Sequence, residues 1–552
     1  MGAERDQNLK SERRGRGWAR VLAAVVLAMV ALNLAGVPRT IVYHWGLPDA
    51  THCFSYHPDE IMLLMPSFGF SQGDWNPHFF NYGTLYIYLV GIPAVLSGHL
   101  ADPSRFPADL RPLYELGRGI SVWMGAATVF LLCFCLRRES RWLALLSALL
   151  LALCPLHIVN SGYATVDVPA TFWLVVAFAL ALWGLHRPNL ERGFLAGFAV
   201  GLAAATKYSA GLFIVPALLA LTLERSTRGR WPLYVTRLLG GACGFALACP
   251  FFWTAEFWQG VLFEARHMRV GGTTAFVDTG PGWIYHLTRG LPAGLGYALL
   301  AAAALGVIGA VRTDSRAARI SLLWVVFYLF VIGFAKERFI RYLVPLTPFV
   351  CVLAASGVMW LYRLARTRPA RVAVVAYAAG VVALTGIYAS GQVARFTEFD
   401  PRDRAWAEVG KTAIFASGSQ LRVGLVQAPW YCDPPVSALN SGPFTRKAFE
   451  EWNAATGERV VVTGWDAEML ARVRPEMFFV SDAESSDWLR LREPKVVRFM
   501  EALERIYARR SEYARPAPRF SWLAPPRASA PPDWLYPDPH ITMYYRPRPK
   551  DQ

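Results

Sequence analysis

Charged residues are scarce in this sequence of 552 residues: Asp, Glu, Lys and Arg make up 17%, while 54% of the residues are hydrophobic and 14% are aromatic. An average soluble domain carries about 25% charged residues. The composition therefore excludes an ordinary soluble enzyme. Apolar windows long enough to cross a bilayer, about 20 residues, recur between Trp18 and Ser390 and then stop. We predict a tail (residues 1–17), a membrane domain (18–390) and a soluble domain (391–552).

Two kinds of motif are also missing. The eight cysteines form no C-x-x-C pair, and most of them lie in apolar segments, where cysteine packs as a small hydrophobic residue. The cysteines therefore indicate neither a metal site nor a disulfide framework. Cys53 and Cys432 lie outside the predicted spans and are free to pair as far as the sequence goes, which does not give their distance. A G-x-G-x-x-G nucleotide fingerprint is also absent from the sequence, so a nucleotide-linked substrate is not indicated.

The net charge of +16 does not indicate nucleic-acid binding, because the basic residues stand in short clusters between apolar segments. This pattern is typical of the cytoplasmic loops of membrane proteins. We therefore place the N-terminus and all of these clusters in the cytoplasm. They are Lys10 to Arg16, Arg137/Arg138/Arg141, Arg187/Arg192, Arg225/Arg228/Arg230, Arg312/Arg316/Arg319 and Arg363/Arg366/Arg368/Arg371.

The same rule gives eleven crossings of the cell membrane and places the C-terminal domain outside. The apolar stretch Thr84–Leu100 is not counted, because one more crossing would move the later arginine clusters outside. We predict an interfacial helix there. The first loop (residues 38–116) and the second loop (residues 253–291) then share the outer face with the C-terminal domain. The crossings are 18–37, 117–136, 142–158, 166–185, 193–206, 209–223, 233–252, 292–311, 319–335, 342–362 and 371–390.

The C-terminal domain has a mixed pattern. Short β-rich runs alternate with helical stretches such as Val496 to Arg509, which predicts a small α/β module. The predicted fold class is thus a polytopic α-helical membrane protein with a small C-terminal α/β domain. The β-rich runs are Leu421 to Val426, Arg459 to Thr463, Met477 to Val480 and His540 to Tyr545.

Three acidic residues near the predicted outer face are candidates for chemistry. Asp59 and Glu60 follow Pro58, a combination that is favourable at the start of a helix, so helix capping and catalysis both explain them. Asp167 lies at the outer mouth of a span. Burying a carboxylate at that depth costs free energy unless it faces a paired or wet site, so such an acid is a candidate functional residue. The alternative is that Asp167 caps the helix that follows.

The basic candidates lie on the same predicted side. Lys207, followed by Tyr208, stands in a long apolar region without an acidic neighbour in sequence. Its alternatives are snorkelling to the interface and binding an anionic head group. Lys336, Arg338 and Arg341, followed by Tyr342, form a second group whose guanidinium groups suit a phosphate. Here Glu337 offers the alternative of pairing with its neighbours.

Taken together, these motifs resemble the GT-C class of glycosyltransferases, in particular the protein O-mannosyltransferase and lipid A aminoarabinose transferase superfamily (glycosyltransferase family 39-like). The resemblance covers about residues 18–390. It is carried by five motifs in order: Asp59-Glu60, Phe79 to Tyr86, Ser161 to Asp167, Gly201 to Tyr208, and Arg341 to Pro348.

The resemblance implies a glycosyltransferase with a polyprenyl-phosphate sugar as donor and a protein, lipid or glycan as acceptor. Asp59 is then the catalytic base, with Glu60 beside it, and Asp167, singled out above by its depth, is a further catalytic candidate. No cofactor is implied, and a divalent metal is left open. The implied substrate-binding residues are His57, Asn81, Tyr82, Lys207, Tyr208, Lys336, Arg338, Arg341 and Tyr342.

One departure concerns specificity. The aminoarabinose transferases carry Glu-Lys-Pro where this chain has Asn81-Tyr82-Gly83, so a lysine expected to hold phosphate is missing and the resemblance does not extend to lipid A. Two other classes remain as alternatives: a transporter or flippase, and a non-catalytic membrane subunit. A transporter usually shows internal repeats, and this sequence shows none.

The predicted topology is tested by cysteine accessibility. We expect Ser441→Cys in the C-terminal domain to react with an impermeant thiol reagent in intact cells. Asn189→Cys, in a predicted cytoplasmic loop, should react only after permeabilisation. Protection of the cysteine at position 441 in intact cells would contradict the eleven-span scheme.

Overall fold

The computed structural model describes residues 55–98, 111–397, 400–411, 422–436, 446–455, 457, 459–516 and 520–545. The predicted tail (1–17), the first predicted span (18–37) and Cys53 lie outside these residues.

Between residues 111 and 397 the chain is largely helical, and every predicted crossing from 117 onward coincides with a helix or a pair of helices. Two 3₁₀ segments, Tyr208–Phe213 and Ile340–Leu346, precede helices near the site described below. The longer helices are Arg111–Leu136, Arg141–Ala152, Pro155–Ser161, Asp167–His186, Leu190–Thr206, Ile214–Leu223, Trp231–Ala248, Ala255–Val270, Tyr297–Arg312, Arg316–Ile332, Thr347–Leu364 and Arg368–Thr397.

Length and hydropathy identify fewer crossings than the charge pattern predicts. Of the described helices, 4 are long and apolar enough to cross a membrane, or up to 6 if each of two bent pairs counts as one span. One pair bends by 56° just before Pro155. The other bends by 120° at Gly296, whose φ of 74° lies in the left-handed region. The number of eleven crossings therefore stays a prediction.

The stretch predicted to be interfacial contains the helix Leu85–Leu96, of 12 residues. At 1.5 Å per residue such a helix rises about 18 Å, which is short of the roughly 30 Å of a bilayer core. Its length therefore agrees with the prediction that this segment does not cross.

Two helices of the membrane domain approach each other unusually closely at glycines. A Cβ added to Gly197 would lie 1.8 Å from the carbonyl oxygen of Arg237, and one added to Gly244 would lie 2.3 Å from that of Phe198. Only glycine leaves room for such backbone contact, as in other membrane helix pairs. This packing holds Leu190–Thr206, which ends next to Lys207, against Trp231–Ala248.

The C-terminal domain contains a five-stranded sheet. Its strands are β1 (Val423–Leu425), β2 (Val460–Val462), β3 (Met477–Ser481), β4 (Arg509–Tyr513) and β5 (Ile541–Tyr545), and their order in the sheet is β2-β1-β3-β5-β4. β1, β2 and β3 are parallel, whereas β5 runs antiparallel to β3 and β4. Four strands lie at the predicted runs. The fifth, β4, escaped prediction because this edge strand is largely exposed and lacks an alternating apolar pattern.

Helices cover both faces of this sheet. Phe449 packs with Val423 and Phe479 on one face, and Phe499 and Leu503 pack with Phe478 on the other. The domain thus has its own apolar core. Its helices are Pro401–Lys411, Arg446–Ala455, Ala467–Val473, Asp482–Arg490 and Pro494–Ile506.

Candidate active site

The two acids of the first loop separate at the start of the helix Pro58–Leu64. The N-cap is His57, whose Nδ1 accepts a hydrogen bond from the backbone N–H of Asp59 at 3.1 Å. Glu60 completes the capping box by accepting the N–H of Tyr56 at 2.9 Å and that of His57 at 3.3 Å. Capping is therefore performed by His57 and Glu60, and the Asp59 carboxylate is left for other contacts.

Glu60 is fully buried against a helix of the membrane domain. Its Oε1 accepts from Nε of Arg118 at 2.7 Å, and its Oε2 accepts from Nη2 at 2.8 Å. Oε1 also accepts the backbone N–H of Ala164 at 3.0 Å. With both oxygens engaged in a bidentate ion pair, the contacts of Glu60 favour a structural role over the catalytic one predicted for it.

Asp59 faces a tyrosine and an arginine. The hydroxyl of Tyr82 donates to its Oδ2 at 2.9 Å, and Nη2 of Arg341 lies 3.3 Å from the same oxygen. Burial by itself raises the pKa of Asp59, but the charge of Arg341 and the Tyr82 hydrogen bond help to hold the pKa below its usual range. The carboxylate is therefore ionised at neutral pH.

Tyr82 is positioned by the turn that follows the helix Leu190–Thr206. The hydroxyl of Tyr208 donates to the carbonyl oxygens of Phe80, at 3.0 Å, and Tyr82, at 2.9 Å. A Cβ on Gly83 would lie 2.0 Å from the carbonyl oxygen of Ala205. Only glycine permits this approach, which explains in physical terms the glycine of the Asn81-Tyr82-Gly83 sequence. Asn81 is half-buried in the same segment.

Lys207 has no acidic neighbour in the sequence, but it has an acidic partner in the structure. Its Nζ lies 2.5 Å from Oδ1 of Asp167, and both side chains are buried. Nζ also lies 4.8 Å from the ring centre of Tyr342. Asp167 is the first residue of the helix Asp167–His186, but no side chain caps that helix, since its N-cap is Val166. The Asp167 carboxylate thus serves an ion pair rather than the cap.

Arg341 also contacts the C-terminal domain. Asp533 accepts the backbone N–H of Ile340 at 2.9 Å and that of Arg341 at 3.0 Å, and its Oδ2 lies 3.9 Å from Nη1 of Arg341. Nε and Nη1 of Arg341 are buried and have no hydrogen-bond partner among the described residues. The guanidinium carbon lies 4.0 Å from the ring centre of Phe339. A buried guanidinium with unused donors has the chemistry to bind an anion.

Sequence reasoning missed Asp533. It stands in a proline-rich stretch, Pro531-Pro532-Asp533-Trp534, where the one available signal is the combination of an acid and a large aromatic residue between turn formers. Burial raises its pKa to about 6, although Arg341 and the two backbone N–H groups act in the opposite direction.

The structure does not bring all predicted residues to this cluster. Lys336 is exposed, and Arg338 donates to the hydroxyl of Thr279 in the second loop. Glu337 accepts the backbone N–H groups of Gly272, at 2.6 Å, and Thr273, at 2.9 Å. This segment therefore contacts the second loop, and Glu337 binds backbone N–H groups there rather than the neighbouring cations that the alternative interpretation named.

His57 does lie beside the cluster. It is buried, with ring centres 5.2 Å from Tyr163 and 5.2 Å from Tyr536. Burial lowers its pKa to about 4. The ring is therefore neutral at neutral pH, and its contacts are those of a residue that shapes the site.

A group with the spacing of metal ligands lies in the C-terminal domain rather than beside Asp59. Within the described part of the chain, ligand atoms of Cys432, Asp433 and Glu484 all lie within 4.8 Å of one another. Burial raises the pKa of Asp433 to about 7 and also raises that of Glu484. Near neutral pH the carboxyl pair therefore retains a proton without any metal.

The division of roles between the two acids predicts different stabilities. Glu60→Gln deprives buried Arg118 of its carboxylate, and breaking a buried ion pair typically costs about 3–5 kcal/mol. Asp59→Asn leaves Arg341 with Asp533 and should cost less. We expect thermal unfolding of the detergent-solubilised protein to show a clearly lower midpoint for Glu60→Gln only; equal midpoints would contradict the structural role of Glu60.

Part of the chain is similar in sequence to known protein mannosyltransferases. Residues 114–236 match the family model described as dolichyl-phosphate-mannose-protein mannosyltransferase. The chain is also 28% identical over 210 residues to the dolichyl-phosphate-mannose–protein mannosyltransferase 1 of Saccharomyces cerevisiae. That alignment covers 35% of this chain and 23% of the yeast protein. The chain thus matches about a quarter of the length of this curated relative.

Solved structures with the same fold cover far more of the chain. The oligosaccharyltransferase of Archaeoglobus fulgidus matches with a TM-score of 0.52 and 11% identity, over 90% of this chain and 73% of that one. ArnT from Cupriavidus metallidurans, bound to undecaprenyl phosphate, matches with a TM-score of 0.50 and 16% identity. This match covers 96% of the present chain and 98% of the ArnT chain. The chain therefore shares the fold of these glycosyltransferases and matches a mannosyltransferase family in sequence over residues 114–236, in agreement with the resemblance to the GT-C class.

Proposed function

We propose that this protein is a cell-membrane glycosyltransferase that transfers a sugar from a polyprenyl-phosphate carrier to an acceptor hydroxyl at the outer face. One observation carries the proposal: the ionised carboxylate of Asp59 lies against the buried guanidinium of Arg341, whose Nε and Nη1 have no hydrogen-bond partner in the described part of the chain. A base and an anion-binding group thus belong to one site, and displacement of a phosphate from a sugar needs both.

The carrier is proposed from the anion site and from the similar structures. One structure of the Archaeoglobus fulgidus enzyme is a complex with an inhibitory peptide and a dolichol-phosphate, and the structure of ArnT contains undecaprenyl phosphate. In this chain Nε and Nη1 of Arg341 would hold the phosphate. Lys207 lies near the same Tyr342 ring as Arg341 and would contribute a second positive charge.

The reaction is a single displacement. The acceptor oxygen forms a bond to the anomeric carbon while the bond from that carbon to the phosphate oxygen breaks, and the phosphate leaves with the electron pair. Asp59 takes the acceptor proton. Because base and leaving group act on opposite sides of the anomeric carbon, the configuration inverts.

Donor binding would also activate the base. In the structure, the guanidinium of Arg341 helps to lower the pKa of Asp59, which makes the carboxylate a weak base. A phosphate bound to the same guanidinium neutralises part of its charge. The pKa of Asp59 then rises toward the range in which a general base is effective.

The proposed base is tested by Asp59→Asn, which preserves the shape of the side chain but cannot accept a proton. We expect transfer to fall by about 10²–10⁴-fold, measured as sugar release from the lipid-linked donor in proteoliposomes. Binding of undecaprenyl phosphate should persist. Near-normal transfer by Asp59→Asn together with an inactive Asp167→Asn would assign the base to Asp167 instead.

The proposed phosphate contacts are tested by binding. Arg341→Ala and Lys207→Ala should each weaken binding of undecaprenyl phosphate by about 10–100-fold, because a charge-assisted hydrogen bond contributes about 1.5–3 kcal/mol. Lys495→Ala removes an exposed cation of the C-terminal domain and serves as the control. If both site variants bind like the control, these two residues do not hold the phosphate.

A further inference from the structure

A short segment of the C-terminal domain, residues 531–538, docks on the membrane domain next to the proposed active site. Besides Asp533, it contributes the backbone oxygen of Trp534, which accepts from Nη1 of Arg395 at 3.2 Å. The ring of Tyr536 packs against His57. The Asp538 carboxylate lies 3.9 Å from Nε of Arg395. We call residues 531–538 the docking segment.

Within the docking segment, the carboxylate of Asp533 lies 3.9 Å from Nη1 of Arg341. Its two oxygens each accept one backbone N–H, from Ile340 and from Arg341, at the start of the 3₁₀ segment Ile340–Leu346. The side chain is 2% exposed. A buried carboxylate is costly unless it is hydrogen-bonded and paired, and these contacts provide both.

The two hydrogen bonds fix the peptide planes on either side of the Ile340 Cα. They also satisfy N–H groups at the start of a helical turn, which have no intrahelical acceptor. The direction in which the Arg341 side chain leaves the backbone is thereby held. Because a displacement of about 1 Å at a reacting group can cost about 10²-fold in rate, this constraint matters for a residue that contacts both phosphate and base.

We propose that Asp533 is a positioning residue for the donor-phosphate site, so that the C-terminal domain completes the active site of the membrane domain. The inference rests on the proposed function, since it assigns the phosphate to Arg341. Asp533 acts through Arg341 and touches neither substrate.

The test uses the full-length protein and undecaprenyl phosphate as the probe. Asp533→Asn keeps the size of the side chain but turns an NH₂ group toward one of the two backbone N–H groups. We expect binding of undecaprenyl phosphate to weaken by about 10–100-fold, the loss expected for a charge-assisted hydrogen bond, and sugar transfer to fall with it.

The matched control is Asp538→Asn in the same docking segment. Asp538 is also buried and pairs with Arg395, Arg515 and Arg527, but it has no contact with Ile340 or Arg341 among the described residues. The Asp538→Asn variant should lower the thermal unfolding midpoint as much as Asp533→Asn does, or more. Its binding of the probe should stay near that of the wild type. Equal losses of binding in both variants would show that docking alone matters and would overturn the assignment.

A double-mutant cycle separates positioning from a general structural effect. If Asp533 acts through Arg341, Asp533→Asn has no further effect on probe binding in an Arg341→Ala background. Additive losses would overturn the positioning role, as would unchanged binding in Asp533→Asn alone. If Arg341→Ala itself binds the probe normally, the phosphate assignment in the proposed function fails, and the inference fails with it. If Arg341→Ala weakens binding but Asp533→Asn does not, only the inference fails.

Discussion

The arrangement of the site depends on one buried guanidinium, that of Arg341. Moving such a charge out of water is costly unless acids of good geometry surround it, and here Asp59 and Asp533 do so from two sides. The two acids belong to the first loop and to the C-terminal domain, while Arg341 belongs to the membrane domain. A single electrostatic requirement therefore joins three distant parts of the chain at one point.

The second ion pair, Lys207 with Asp167, follows the same logic at the ends of two helices of the membrane domain. Tyr342 lies close to both cations, with its ring centre 4.8 Å from Nζ of Lys207 and 5.6 Å from Cζ of Arg341. The π face of the ring attracts both cations. Tyr208, which follows Lys207, fixes the backbone that carries Tyr82. The residues that hold Asp59 in place are thus linked to those proposed to hold the phosphate.

Sequence patterns predicted the helices from residue 117 onward because the membrane imposes long apolar runs bounded by arginines. Neighbours on a helix point about 100° apart, and in the structure Asp59 and Glu60 accordingly contact different partners. Partners distant in sequence could not be predicted. Asp167 lies 40 residues from Lys207, and Asp533 lies 192 residues from Arg341. The pattern of apolar and polar residues along the sequence does not indicate such contacts, because they form only when separate helices and segments pack together.

The pairing of Asp59 with Arg341 bears on how the proposed enzyme avoids wasting its donor. A carboxylate whose pKa is held low is a poor base toward water or acceptor as long as the guanidinium belongs to it alone. In the proposed mechanism a bound phosphate would share the positive charge of Arg341 and raise the pKa of Asp59, so that the carboxylate becomes a better base. The fixed backbone of Arg341, held by Asp533, keeps the guanidinium within reach of both anions. Base activation would therefore depend on the same contact that binds the leaving group.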